Sequence, residues 1–251
     1  MFFDAHCHLQ DDRFRGVLEA VLDRAEAAQV THMVCCGTRE EDWDAVLELA
    51  RRHPAVVPCV GLHPWHVAAA APGWQARLET ALDAGAGCGE CGLDFSEGRA
   101  PRELQEAALL DQLHLAIARN LPVSMHCVNA AGRLLEILRE TGLPAAGGLV
   151  HAFSGAPEVA RDFQSLGLHL SFGGALTRPG AKRAAASLAM VQEDRLLFET
   201  DAPDLAPEGV AGPNEPAYLC RVAAAASRLR GWDVAPLAYA NARRLFRRWL
   251  A

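Results

Sequence analysis

Apolar, β-prone runs recur along the chain at Phe2–His8, Thr31–Gly37, Val56–His63, Gly87–Phe95, Leu121–Cys127, Gly148–Phe153, Leu168–Gly174 and Arg195–Asp201. They are spaced by about 20 to 35 residues, the size of one strand-plus-helix unit. Between them the period changes: Val17, Leu18, Val21, Leu22 and Ala25 form one helical stripe, and Leu104, Leu109, Leu113 and Ile117 form another. Pro101, Pro157 and Pro179 stand where helices are expected to open. Strands that alternate with helices and are buried on both faces predict a parallel sheet, and eight such units fit a closed (β/α)8 TIM barrel, with an open doubly wound sheet as the rival.

No linker, internal repeat or low-complexity tract interrupts the pattern, so residues 1–251 read as one domain. The stretch from Ala202 to Pro213 holds three prolines and two glycines and predicts a long loop over the barrel mouth, ahead of a helix near Pro216. Asn241–Leu250 mixes Arg243, Arg244, Arg247 and Arg248 with Leu245, Phe246, Trp249 and Leu250, the pattern of a last helix docked on the barrel with its arginines in water.

Composition narrows the function classes. Apolar residues make up 51% and charged residues 22%, which describes a globular chain with ample core. A net charge of −7 repels nucleic acid at long range, so contact with phosphate needs a local basic patch or bound metal. Eight cysteines without regular spacing, no basic leader before Asp4 and His6, and no apolar run of membrane-spanning length point to a reduced cytoplasmic chain without membrane or obligate protein partner.

His6, His8, Glu90, His126, His151 and Asp201 each sit where an apolar run turns polar. In a strand, residues two apart share a face, so His6 and His8 project together, Asp4 joins them and Cys7 points away. Glu90 lies among Gly87, Gly89 and Gly92, which thin the wall and let a carboxylate reach the centre. A buried carboxylate needs a cation for a partner. His126, His151 and Asp201 end the fifth, sixth and eighth runs, on the face where such barrels carry their active sites. The expected arrangement is two divalent ions, zinc, magnesium or manganese: one on His6, His8 and Asp201, the other on His126 and His151, with Glu90 between them. Such a pair activates water and polarises the bond under attack, while Asp201 orients the nucleophile or takes its proton. His63, which ends the third run, is read as a substrate contact or proton carrier, with a structural role behind the ligands as the alternative, and Asp94 as a partner for a ligand histidine or a loop cap.

Phe3-Asp-Ala-His-Cys-His8, Gly61-Leu-His-Pro64, Gly89-Glu-Cys-Gly-Leu-Asp94, Leu121-Pro-Val-Ser-Met-His126, His151-Ala-Phe-Ser-Gly155, Glu199-Thr-Asp-Ala-Pro203, Asn214-Glu-Pro216 and Asn241-Ala-Arg-Arg-Leu-Phe246 span the chain. Together they resemble the TatD-like metal-dependent hydrolases of the amidohydrolase superfamily. The resemblance implies a TIM barrel, a two-metal centre on the six residues above, and phosphodiester hydrolysis with deoxyribonuclease activity in some members. Editing of D-aminoacyl-tRNA esters is attributed to part of the group. Three positions depart: Val128 where many members carry arginine, Trp65 where many carry a second histidine, and Asp204 in place of an aromatic residue. The first two weaken phosphate binding, and the whole looks closer to a less characterised branch. Arg133, Arg178 and Lys182 are candidates for the missing phosphate contact.

The expected function is hydrolysis of phosphoester bonds in nucleic acid or small phosphodiesters. Amide or carboxyl-ester hydrolysis, including D-aminoacyl-tRNA deacylation, is the alternative, and a metal-binding relative without turnover is a third reading. Cys88 and Cys91 form a C-x-x-C pair, but three positions along a strand place them on opposite faces, and no second pair completes a zinc site. Gly87-x-Gly89-x-x-Gly92 matches a dinucleotide fingerprint in letters only, because it lies inside a strand. His32, His53, His66, His114 and His169 are expected on helices or the surface.

Overall fold

The structure, a computed structural model, describes residues 1–250. Eight strands lie in one sheet in sequence order: β1 (Phe2–Cys7), β2 (Val30–Gly37), β3 (Val56–Val60), β4 (Gly87–Asp94), β5 (Val123–Val128), β6 (Gly148–Val150), β7 (His169–Phe172) and β8 (Leu196–Phe198). Each successive pair is parallel. The intervening helices are α1 (Leu18–Ala27), α2 (Glu40–Arg52), α3 (Trp74–Asp83), α4 (Arg102–Arg119), α5 (Ala131–Thr141), α6 (Pro157–Ser165) and α7 (Lys182–Met190), followed after β8 by α8 (Leu219–Arg230) and α9 (Ala235–Leu245). Just past β8, Asp201 N–H donates to the His6 carbonyl (2.9 Å) and His8 N–H to the Ala202 carbonyl (2.7 Å). These bonds join the last strand to the first and decide for the TIM barrel against the open sheet.

The main core lies between sheet and helices, and a smaller one, with Phe3, Val34, Val57, Leu149 and Leu197, is packed by Leu245 and Phe246 from the C-terminal segment. Phe246 stacks on Phe3 at 5.7 Å, the docking expected from the mixed Arg/apolar pattern. Among the described residues no helix is long and apolar enough to cross a membrane.

Two glutamines on α4 tie the strand ends that carry the site. Gln112 accepts from Leu62 N–H (2.7 Å) and donates to the Leu62 carbonyl (3.1 Å). Gln105 does the same for Asp94 (2.8 and 2.9 Å). Both side chains are buried, so each bond contributes about 1 kcal/mol and its loss strands a polar group. α4 therefore ties the mouth ends of β3 and β4, beyond the point where the pairing of these two strands with each other stops at Val60 and Cys88.

The structure corrects several local expectations. β6 and β8 are three residues long, so His151 and Asp201 stand beyond their strands, in the loops of the mouth. Leu104 is 42% exposed and leaves the buried stripe of α4, which Leu109 and Leu113 carry. Pro179 precedes α7 by a turn, and the helix begins at Lys182.

Candidate metal centre

Two glycines let Glu90 reach the centre. Gly89 and Gly92 take φ of +130° and +138°, and a Cβ at these positions would fall 2.3 Å from the Ser124 carbonyl and 2.0 Å from the His126 carbonyl. Only glycine lets β4 pass so close to β5. Gly92 pairs with His126, so the same approach that excludes a side chain sets the histidine beside Glu90. On the far side, the β8–β1 seam brings Asp201 to His6 and His8.

Glu90, 2% exposed, is ringed by five imidazoles. Its Oε1 lies 2.8 Å from His151 Nε2, 3.1 Å from His126 Nδ1 and 3.1 Å from His63 Nε2. Its Oε2 lies 3.2 Å from His6 Nε2 and 3.5 Å from His8 Nε2. Asp201 Oδ1 is 3.3 Å from His8 Nε2 and 3.8 Å from His6 Nε2. Three overlapping triads, His6/His8/Glu90, His6/His151/Asp201 and His63/Glu90/His126, each keep a possible ligand atom within 4.8 Å of the others.

The outer ring nitrogens decide what the inner ones present. His8 Nδ1 faces the Cys36 carbonyl at 2.7 Å, which only accepts, so Nδ1 carries the proton and Nε2 keeps its lone pair. His126 Nε2 faces Asp94 Oδ2 at 3.3 Å, which leaves a lone pair on His126 Nδ1; His151 Nδ1 makes no hydrogen bond, but the charge of the Glu199 carboxylate 3.5 Å away favours the proton on that nitrogen and the lone pair on Nε2. Those two nitrogens are 3.2 Å apart and both point at Glu90. Lone pairs of three neutral rings thus converge on two carboxylates, an arrangement that repels unless a cation lies among them. The mixed nitrogen and oxygen donors, with the Cys36 carbonyl behind His8 and the Asp94 carboxylate behind His126, fit divalent metal. His63 is different: its Nδ1 accepts from Trp65 N–H (3.1 Å), so its Nε2 carries hydrogen and donates to Glu90.

Basicities follow the same division. Burial would lower His8, yet its bond to Asp201 and the charge of Glu90 push it up to about 9. His126 and His151 are likewise raised, against burial, by Asp94 and Glu90 for the former and by Glu90 and Glu199 for the latter. Without metal, a proton takes the cation's place on these rings. Burial lowers His63 to about 4 and also lowers His6. Burial opposes ionisation of Glu90, but the surrounding imidazoles hold it well below the usual carboxylate range.

All six expected ligand positions, and His63, meet here. Asp4 does not: a register shift between Asp4 and Cys7 breaks the strand's alternation, and its carboxylate is taken by the Thr200 N–H (2.9 Å) and hydroxyl. A second shift, between Cys88 and Cys91, brings those thiols together in the core, where the expected opposite faces fail. The Cys88 thiol and burial push Cys91 well above its usual range. Asp94 does both things expected of it, meeting His126 and accepting from Ser96 N–H (2.9 Å). His66 is not a bystander, since it lines the cleft with His63. Glu199, fully buried behind His151, escapes a reading by strand ends; its signal is an acid inside the apolar run Arg195–Thr200.

The centre opens into a cleft of about 870 Å³. Its wall carries Arg13 and Arg39, while Arg133, Arg178 and Lys182 lie elsewhere. Arg13 is bound by Asp11 (2.9 Å) and Asp204 (2.7 Å), a clamp joining the loops after β1 and β8.

Comparison with known proteins places this geometry. A family model described as TatD related DNase matches residues 3–247. The chain belongs to the TatD-related DNase family. A metal-dependent hydrolase of Bacillus subtilis, YabD, is 33% identical across 98% of this chain and 99% of its own length. A Cronobacter sakazakii TatD protein, a 3′-5′ ssDNA/RNA exonuclease by name, is 35% identical across 97% of both. The crystal structure of the Escherichia coli TatD homologue YjjV superposes with a TM-score of 0.93 at 33% identity, covering 98% of each chain. The TatD-family chain is thus a metal-dependent hydrolase on a TIM barrel.

Proposed function

We propose that this chain hydrolyses phosphodiester bonds at nucleic-acid ends with two divalent ions held around Glu90. The observation that carries the reading is the convergence of three imidazole lone pairs on the Glu90 and Asp201 carboxylates. His6, His8 and Asp201 would hold one ion and His126 and His151 the other, with Glu90 shared. When bound, such a pair makes water nucleophilic near neutral pH and stabilises both the attacking and the leaving oxygen. Zinc, magnesium and manganese all suit the donor set.

The chain's own groups do the rest. Asp201 lies at the cleft and touches only imidazoles within the site, so it is placed to orient the attacking water and take its proton. His63, neutral and donating to Glu90, fixes the carboxylate; at about 4 its basicity is too low for proton transfer at neutral pH. The cleft sets Asp11, Asp12, Asp42 and Asp204 against Arg13 and Arg39, so a long duplex gains little from neutralising this wall. A short strand end, drawn by the ions themselves, suits it better. The exonuclease named among the relatives supports the same substrate.

Parallel assays with a 3′-recessed oligonucleotide, bis-nitrophenyl phosphate and a D-aminoacyl ester, each with magnesium, manganese or zinc, test the reading. Turnover of both phosphodiesters is expected; turnover of the ester alone would overturn it.

Metal uptake should release protons. His8 holds its proton below about pH 9 in the metal-free protein, and a ligand nitrogen must give it up. The sign follows: as pH falls from 9, apparent metal affinity drops about tenfold per pH unit for each proton displaced. Calorimetric titration in buffers of different ionisation enthalpy measures the count. At least one proton at pH 7 is expected; heats independent of buffer would contradict the raised basicity.

A further inference from the structure

Trp65 and Val128, two of the positions at which the sequence departs from the resemblance, line the same cleft. Trp65 is 50% exposed, Val128 38%, and Leu205 across the opening 36%. Single exposed apolar residues are ordinary. What separates Trp65 is that it is held. Its Nε1–H donates to Asp94 Oδ2 at 2.6 Å, its backbone N–H to His63, and the Arg99 guanidinium lies 3.9 Å from the ring centroid. Arg99 Nε is itself 3.6 Å from Asp94 Oδ2. The indole is therefore fixed before any ligand arrives, so ordering it on binding costs little. Its ring meets that of His63 edge-on at 4.9 Å and lies 6.1 Å from that of His126, and both of those imidazoles face Glu90, around which the proposed ions would be held.

We infer that Trp65 is a base-stacking wall, so that the enzyme selects a phosphodiester flanked by a nucleobase. The inference rests on the phosphodiesterase reading and names the substrate class for it. Aromatic side chains that stack single-stranded bases do so without regard to sequence, because every base has a π-face. The cleft presents apolar surface at Trp65 and Val128; phosphate contact falls to the metal centre and base contact to this wall. Val128 extends the surface that a base would cover.

The test compares thymidylyl-(3′→5′)-thymidine with its two analogues lacking the 5′ or the 3′ base. The readout is the ratio of kcat/KM with and without each base, so any general loss through Asp94 and His126 cancels. In the wild type, removing one of the two bases should cost about tenfold, mainly in KM. Trp65→Phe, which keeps the ring and loses the N–H, should preserve most of that ratio. Trp65→Gln, which keeps a donor for Asp94 and loses the ring, should bring it to about one. A wild-type ratio near one for both analogues, or a Gln variant that retains the preference while the Phe variant loses it, overturns the stacking wall. No turnover of any dinucleotide by the wild type with magnesium, manganese or zinc is a different failure: the phosphodiesterase reading then goes, and the base subsite with it.

Discussion

Glu90→Gln is expected to leave the protein folded, with less than one divalent ion per chain and activity reduced by more than the 10- to 100-fold that changes behind a ligand cost, as order-of-magnitude figures. The amide keeps the shape of the carboxylate but removes the charge on which five imidazoles converge, at 2.8 to 3.5 Å. It also puts two N–H donors toward rings that, in the metal-bound protein, offer lone pairs. Both proposed ions share Glu90, so the variant should lose them together, whereas His126→Ala should lose one. Elemental analysis after dialysis, paired with the phosphodiester assays, reads both quantities. Retention of two ions by Glu90→Gln would remove the bridge from the account.

The second large effect is on the fold. Gly92→Ala should destabilise by on the order of 3 kcal/mol or more, lowering the melting temperature by roughly 10 °C. A φ of +138° is strained for any L side chain, and the new Cβ would lie 2.0 Å from the His126 carbonyl, a backbone atom that cannot swing aside. Either β4 and β5 separate or the loop after β4 rearranges. In both cases His126 moves from Glu90, so metal content should fall with stability. Gly132→Ala on the exposed face of α5 is the control: its Cβ would meet nothing within 4 Å, and alanine favours the helix by up to about 1 kcal/mol. Thermal melts of the two variants decide, and equal stability would refute the close-approach argument.

Much of this was legible because strand ends leave a plain mark. His6, His8, His126, His151 and Asp201 each close an apolar run, and in a parallel barrel all runs end on one face, so order along the chain becomes proximity in space. Glu90 was legible for another reason, a carboxylate among glycines that has no place in an ordinary buried strand. What stayed hidden depends on register. Asp4 leaves its expected side, and Cys88 meets Cys91, because each sits at a shift in pairing that alternation cannot foresee. The seam between β8 and β1 depends on two backbone bonds made past the end of β8, which no periodicity encodes. Tautomers were hidden too. Whether a histidine offers a lone pair or an N–H follows from what lies behind it, the Cys36 carbonyl for His8 or the Trp65 N–H for His63, and those neighbours are distant or local by fold alone. Trp65 shows the limit of pattern comparison: in the sequence it is only a departure expected to weaken phosphate contact, and its position in the cleft is what suggests a use.

The most direct test is anomalous diffraction from crystals of the wild-type protein grown with manganese or zinc. Two peaks flanking the Glu90 carboxylate are expected, one reached by His6, His8 and Asp201 and the other by His126 and His151, with His63 coordinating neither. A map with no metal at Glu90, or with a single ion held by His63, would contradict the account.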